Sequence, residues 1–339
     1  MEVGIGMFGD LAFDRNTGKY GDAGVKLREI ISQVKLMDEV GIDVFAMGEH
    51  HRPDYAVSSP EMVLAAAASV TKNIKLASGV TVLSSSEPVK VYEDFATLDL
   101  ISDGRAEIFV GRGSFIESFP LYGYSLEDYE QLFDEKLELL LKINSEENVS
   151  WTGKLRAPMK NQTVYPRAKN DGVIPIWRAV GGTPASVLSA AKLGMPLIVA
   201  IIGGMPVQFK GLIDFYRQEY LKAGHDESEM QIAIHSHTFV SEDQNVIDGY
   251  FQNYKSQMDR IGASRGWAPY TKMQYDGGRA KEGALFVGNV NEVADKINYM
   301  KEIFGITRFI GHMDVGAPKN ELMMKSIELF GEKVGQQVR

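Results

Sequence analysis

AEIFVGRGSF, residues 106–115, is the stretch from which we derive the fold. It opens with the apolar run IFV, which is typical of a strand buried on both faces. The run ends at Gly111, Arg112 and Gly113, where the glycines let a ligand approach the backbone closely. The guanidinium between them is a permanently charged fork that matches a phosphate or a carboxylate. We therefore predict a buried strand followed by an anion-binding turn.

Gly-Arg-Gly alone is a weak signal, because a surface turn that contains an arginine can have the same sequence. A dinucleotide-binding fingerprint is excluded, since its spacing would need a third glycine at Ile116. The rest of the chain has to decide between a ligand site and a plain turn.

The composition of the 339 residues is that of an ordinary globular protein, with 44% hydrophobic and 24% charged residues. The net charge of −9 and the pI near 5.3 repel polyanions, so no nucleic-acid partner is expected. The absence of cysteine excludes disulfides, thiolate metal sites and cysteine nucleophiles. The start, MEVGIGMFGD, carries no basic region and no apolar block long enough for export or a membrane span. We expect a cytoplasmic protein with a small-molecule ligand and no membrane partner.

Eight apolar runs alternate with helical patterns along the chain. Strands are predicted at 2–8, 42–47, 74–83, 106–110, 174–180, 197–202, 231–240 and 307–313, and helices at 24–40, 62–70, from Pro88 onward, 126–143, 184–193, 206–223, 290–304 and 320–334. Eight strand–helix units imply a parallel sheet, and its economical closure is a (β/α)8 TIM barrel. An open doubly wound sheet is the alternative, but the first loop is too long for the glycine-rich turn that such a sheet uses.

Two segments interrupt the alternation. Polar and turn residues dominate at 144–171, and the periodicity weakens at 241–283. We predict one TIM-barrel domain over 1–339, with a surface excursion at about 144–171 and a lid-like insertion at about 241–283.

In such a barrel the C-terminal ends of all strands point to one face, so side chains far apart in sequence meet there. The residues that close the predicted strands include His50, His51, Ser84 to Ser86, Arg112, Gly181 to Thr183, Gly203, Gly204, His237 and Asp314. The turn at 181–183 leads into a helix, so its free N–H groups and the positive helix end add a second anion contact beside Arg112. A tight turn that only caps the following helix would have the same sequence at 181–183. Two neighbouring anion contacts favour one phosphate.

Histidines suggest a competing metal site. His235 and His237 lie two apart on one predicted strand, and with His50, His51 and Asp314 they could outline a hydrolytic metal centre. Only the paired spacing supports it, and a strand histidine is more often a hydrogen-bonded core or rim residue. We therefore predict no metal ligand.

Several motifs resemble those of the bacterial luciferase-like flavin-dependent oxidoreductases. They are GEHHRP at 48–53, VTVLSSSEPVKVYEDFATLDLISDGRAEIFVGRGSF at 80–115, PLYGY at 120–124 and WRAVGGTPASV at 177–187. The resemblance covers nearly the whole chain, thins at 241–283 and returns at LFVGNVNEVADKI and RFIGHMDVG. It implies a TIM barrel that binds FMN, or in some branches a deazaflavin, at its C-terminal face.

The resemblance also implies roles for individual residues. In luciferase the first histidine of the Glu-His-His segment is catalytic, and that position is His50 here. Arg112 matches the arginine that holds the flavin phosphate, and a cis non-prolyl bond is implied near Gly79 and Val80. With the strand-end glycines included, the predicted cofactor-binding residues are Gly79, Val80, Arg112, Gly181, Gly182, Thr183, Ser186, Gly203 and Gly204. Luciferase has a cysteine where this chain has Gly111, so light emission is not implied.

We expect a flavin-dependent monooxygenase that uses reduced FMN and O2 to oxidise a small, largely apolar organic substrate, with reduced flavin supplied by a separate reductase. No pyridine-nucleotide fingerprint is present. His50 would act as an acid or base near the flavin. A deazaflavin-dependent hydride transferase is one alternative, although no extra basic cluster for a long anionic tail is evident, and a non-catalytic flavin carrier is another. A homodimer is also expected.

Overall fold

The computed structural model describes residues 1–14, 16–113 and 115–339, and a parallel sheet of eight long strands forms its centre. The strands are β1 Glu2–Met7, β2 Val44–Met47, β3 Lys75–Ser78, β4 Ala106–Gly111, β5 Ile176–Val180, β6 Leu197–Ala200, β7 Ile232–Val240 and β8 Arg308–His312. Each pairs in parallel with the next along the chain, and β8 also pairs with β1. The sheet is therefore closed, and the predicted TIM barrel is confirmed.

Helices cover the outside of the barrel. They are α1 Ala23–Glu39, α2 Pro60–Ala68, α3 Pro88–Ser102, α4 Ser118–Tyr122, α5 Tyr129–Ser145, α6 Pro184–Lys192, α7 Lys210–Lys222, α8 Gln244–Arg265, α9 Lys272–Arg279, α10 Val290–Phe304, α11 Asn320–Leu329 and α12 Gly335–Val338, with a π-helical turn at Phe330–Val334. Proline begins α2, α3 and α6, where its fixed φ suits the helix and the missing N–H would have had no intrahelical partner.

Short elements complete the fold. They are the antiparallel pairs Phe13–Asp14 with Lys19–Tyr20 and Asn148–Trp151 with Met159–Thr163, the strand Thr81–Val82 beside β4, the strand Phe286–Gly288 beside β7, and 3-10 turns at Leu126–Asp128, Pro206–Phe209 and Glu227–Glu229. The predicted strand 74–83 is therefore two pieces, because the chain leaves the ladder between Ser78 and Thr81.

The core has two layers, because successive side chains of a strand point to opposite faces. One set fills the barrel and consists of Val44, Ala46, Ala77, Phe109, Trp177, Ile198, Ala233 and Ile310. The other set packs against the helices in a larger cluster. Phe109 and Trp177 meet edge to face with ring centroids 6.0 Å apart, so the barrel interior is packed below its mouth.

An ion-pair network closes the N-terminal end of the barrel. The Arg308 guanidinium, 1% exposed, donates to both carboxylate oxygens of Glu107 at 2.6 and 3.0 Å and to Glu2 at 2.7 Å. It also lies 4.2 Å from the centroid of the Trp177 ring. Since Arg308 begins β8 and Glu107 lies in β4, the pair joins opposite sides of the barrel.

The segment 241–283 contains the helices α8 and α9, which the weak periodicity did not reveal. The buried stripe of α8 includes Tyr250, Tyr254 and Gln257, and these polar-tipped side chains blur the apolar pattern of a helix. Within the described parts of the chain, no helix has both the length and the apolar character needed to cross a membrane.

Candidate active site

An inner cavity of about 370 Å³ opens at the C-terminal end of the barrel. Its apolar lining is formed mainly by Ala46, Val80, Phe109, Ile198, Ala200 and Ile310. Of the ten predicted site residues, seven line it: His50, Gly79, Val80, Arg112, Gly181, Thr183 and Ser186. Gly182 lies within the same turn, with φ 122°. Gly203 and Gly204 line a neighbouring cavity instead, so the structure does not bring them to the others.

The floor of the inner cavity is formed by backbone at Gly79 and Gly111, which neighbouring side chains contact closely. The peptide bond between Gly79 and Val80 is cis, as the resemblance implied. A Cβ atom on Gly79 would lie 2.9 Å from the Cβ of Ala46, and one on Gly111 would lie 2.9 Å from a methyl carbon of Val80. Both positions therefore need glycine, and the floor of the cavity is apolar.

His50 is buried at the wall of this cavity and lacks hydrogen-bond partners. Its ring stacks on Tyr55 at 4.2 Å and meets the edge of Phe8 at 4.4 Å, while neither ring nitrogen has a partner in the protein. Burial lowers the pKa of His50 to about 3, with a further contribution from His312. His51, in contrast, is bonded to Glu49 at 2.8 Å. Because buried polar groups are normally satisfied, the neutral His50 imidazole is suited to bind a ligand.

Arg112 meets the start of α6 at one end of the inner cavity. Its Nη2 lies 3.5 Å from the Thr183 hydroxyl, and its Nη1 donates to Glu130 at 3.1 Å. The Tyr129 hydroxyl donates to the Arg112 carbonyl at 2.9 Å, which supports the turn. Thr183 is the N-cap residue of α6, but its side chain makes no capping bond. The turn is therefore more than a helix cap whose hydrogen bonds are all made. The start of α6 and Arg112 together form an anion-binding site at this end of the cavity.

An outer cavity of about 870 Å³ lies between the barrel mouth and the helices α8 and α9. Aromatic residues that the sequence analysis did not single out form much of its wall: Tyr55, Phe115, Tyr254, Trp267 and Tyr270. Its polar residues include Asp10, His237 and His312. Phe8, Phe115 and Ile202 line both cavities, so the two are neighbours.

The histidines of β7 and β8 belong to a hydrogen-bonded cluster. The rings of His235 and His312 are 3.3 Å apart at their nearest nitrogens, and His237 lies 2.9 Å from the Tyr254 hydroxyl. Asp10, His312 and Asp314 have ligand atoms within 4.8 Å of one another, one such group among the residues described. Three backbone N–H groups donate to Asp314, from Phe8, Gly9 and Asp10. These donors occupy the carboxylate oxygens, so we interpret the cluster as structural rather than as a metal site.

Lys296 holds the rim of the outer cavity. Its Nζ lies 3.0, 3.3, 2.9 and 2.7 Å from the carbonyl oxygens of Gly278, Arg279, Ala280 and Leu285. Lys296 therefore holds the loop at 278–285 against α10 through its Nζ.

Replacing Lys296 with methionine is expected to free this loop. Burial lowers the pKa of Lys296 to about 7, so the exchange is measured at about pH 6, where the side chain is mostly charged. Hydrogen bonds from a charged donor contribute about 1.5 to 3 kcal/mol, so amide hydrogen exchange at 278–285 should accelerate by roughly 10- to 150-fold. Lys281→Met is the matched control, because Lys281 lies in the same loop and has no hydrogen bond of this kind. Unchanged exchange in Lys296→Met would show that other contacts hold the rim.

Comparison with known proteins identifies the class. The family model for luciferase-like monooxygenases matches residues 7–307, so the chain belongs to this family and is an oxidoreductase. A relative, 4-hydroxyprotoasukamycin monooxygenase of Streptomyces nodosus subsp. asukaensis, is 23% identical over 92% of this chain and 87% of its own length.

Solved structures share the fold. The oxygenating constituent of 3,6-diketocamphane monooxygenase from Pseudomonas putida, in complex with FMN, has a TM-score of 0.77 at 20% identity, over 100% of this chain and 99% of that one. An F420-dependent secondary alcohol dehydrogenase in complex with an F420–acetone adduct has a TM-score of 0.74 at 19% identity, with 100% of both chains covered.

Proposed function

We propose that the protein is a flavin-dependent monooxygenase that uses reduced FMN and O2 to oxidise an organic substrate, with the reduced flavin supplied by a separate reductase. The observation that carries the proposal is the inner cavity, which has an apolar floor and the anion-binding end at Arg112. When bound, reduced FMN supplies two electrons, so that one oxygen atom of O2 enters the substrate and the other leaves as water.

The residues present fit this cofactor. The floor at Gly79 and Val80 offers an apolar surface for the flavin ring, and Arg112, Gly181, Thr183 and Ser186 would hold the phosphate. His50 supplies two ring nitrogens that have no partner in the protein. As a neutral imidazole it has one N–H donor and one acceptor, so it can hold or move a proton beside the reacting oxygen. Phe8 and Tyr55 pack around the ring and exclude water from it.

The outer cavity is our proposed substrate site. Its aromatic wall suits an apolar molecule, and its volume of about 870 Å³ lies within the range of sites for drug-sized ligands. We therefore propose a larger substrate than the small molecule expected from the sequence. The helices α8 and α9 form its outer wall, consistent with the lid-like role predicted for 241–283.

Deazaflavin-dependent hydride transfer is the second candidate, because an F420-dependent enzyme shares the fold. Mass spectrometry of the cofactor released from protein purified from its native host tests the choice. FMN in that fraction supports the monooxygenase proposal, and a deazaflavin overturns it. Flavin binding without oxidation of any substrate in a broad panel would favour a flavin carrier.

Replacing Arg112 with alanine should weaken FMN binding by roughly one to two orders of magnitude, because charge-assisted hydrogen bonds contribute about 1.5 to 3 kcal/mol. Riboflavin has no phosphate and should lose far less affinity. Fluorescence titration with both flavins checks this, and riboflavin controls for damage to the fold. Equal losses would mean that Arg112 supports the cavity without binding phosphate.

A further inference from the structure

Arg178 is a buried cation that the sequence analysis did not single out. It lies in β5, where Trp177 and Ala179 face the barrel interior and Arg178 therefore faces the surrounding helices. The residue is 3% exposed, and its guanidinium lies 3.6 Å from the centroid of the Phe133 ring on α5. An arginine in this place of an apolar strand needs an explanation, because a cation is rarely buried there unless it is paired.

The Arg178 guanidinium forms no ion pair, although the Asp134 carboxylate on α5 lines the same groove. Its Nε and Nη1 atoms are buried without a hydrogen bond, and no carboxylate in the described residues lies within ion-pair distance of it. Burial, together with the nearby charge of Arg112, lowers the pKa of Arg178 to about 10, and the Asp134 carboxylate offsets only part of this effect. It therefore remains a cation at neutral pH, and an unpaired buried cation is destabilising.

A groove between α5 and α6 connects this cation to the anion-binding end. The groove has a volume of about 460 Å³ and is lined by Arg178 and Ser189 among others. Arg112, Thr183 and Ser186 line both the groove and the inner cavity, so the two meet at the start of α6. The remaining charged residues that face the groove come from α5 and are Glu130, Asp134 and Glu138.

We infer that Arg178 is a second cation of the phosphate site, which is thereby matched to a phosphate monoester rather than to a phosphodiester. Arg112 and Arg178 both line the groove that reaches the start of α6, so an anion held there is exposed to both positive charges. A monoester carries close to two negative charges above its second pKa of about 6, whereas a diester carries one. FMN ends in a monoester, and the phosphate of F420 is a diester. The inference thus rests on the proposed flavin function and concerns which flavin the site selects.

The test is Arg178→Met, which keeps a side chain of similar length against Phe133 and removes the charge. FMN and riboflavin are titrated by fluorescence into wild type and variant at about pH 5 and about pH 7.5, on either side of the phosphate pKa. Wild type should bind FMN about tenfold more tightly at pH 7.5 than at pH 5. At pH 7.5 the variant should bind FMN roughly 10- to 100-fold more weakly than wild type. The FMN affinity of the variant should also depend much less on pH. The α5 carboxylates are the same in both proteins, so the difference reports on Arg178. Riboflavin binding should be unchanged.

Thermal unfolding of the flavin-free proteins separates this role from a structural one. Removing an unpaired buried cation should leave the melting temperature unchanged or raise it, whereas loss of a structural contact would lower it. Arg156→Met is the control for net charge, since Arg156 pairs with Glu87 away from the groove. Equal FMN affinity in wild type and Arg178→Met, or equal losses for FMN and riboflavin, overturns the role of Arg178 alone. A wild-type protein that binds neither flavin overturns the proposed function as well.

Discussion

His50→Ala is expected to lower the rate of substrate oxidation by about 10²- to 10⁴-fold, the usual contribution of a positioned acid or base. The reason is local, because His50 lines the inner cavity and neither of its ring nitrogens has a partner in the protein. FMN affinity should remain close to that of wild type, since the phosphate-binding residues are at the other end. Single-turnover assays with prereduced FMN measure the chemical step apart from flavin delivery.

His51→Ala is the matched control for His50. The His51 ring is held by Glu49 at 2.8 Å and should contribute less to the rate. The pH profile gives a second readout, because burial lowers the pKa of His50 to about 3. The imidazole is then neutral from about pH 5 to about pH 8, and its titration should not limit the rate in that range. A His50→Ala variant that binds FMN and oxidises substrate at the wild-type rate would remove the proposed role.

Arg308→Met is expected to reduce the free energy of unfolding by about 3 kcal/mol, the lower end of the range for breaking a buried ion pair, because the Glu107 carboxylate loses both hydrogen bonds from Arg308 and keeps only the ion pair with Lys75. Glu107 is 4% exposed, and without Arg308 the cation nearest to it is Lys75, at 3.4 Å. Denaturation by urea, followed by circular dichroism, measures the loss.

The double variant Arg308→Met with Glu107→Gln tests the cause. Removing both charges should recover much of the stability, because no buried carboxylate is then left without its main cation. FMN affinity of the folded protein should not change, since this network lies at the opposite end of the barrel from the site. A double variant no more stable than Arg308→Met would show that packing against Trp177, at 4.2 Å, is the larger contribution.

Local sequence patterns were sufficient for the alternation of strands and helices, and seven of the ten residues predicted for the site line the inner cavity. The run at 106–110, ended by Gly111, and the turn at 181–183 both close strands that a barrel places side by side. The segment 241–283 was harder, because the buried face of α8 carries Tyr250, Tyr254 and Gln257. Those side chains pack in the interior or line the outer cavity, and a search for apolar periodicity does not detect them.

The sequence by itself determined the eight strand–helix units, the glycine and arginine turns at the strand ends, and the resemblance that singled out His50 and Gly79 with Val80. These features depend on local backbone preference and side-chain periodicity, which neighbouring residues set. Tertiary structure alone decided that His50 lacks a partner, that Gly203 and Gly204 line the outer cavity, and that Arg178 is an unpaired cation near Arg112. The burial of a side chain, its hydrogen bonds and its repulsion by like charges depend on which residues surround it in space. Many of those residues are distant in sequence, and local sequence patterns do not show which of them come close.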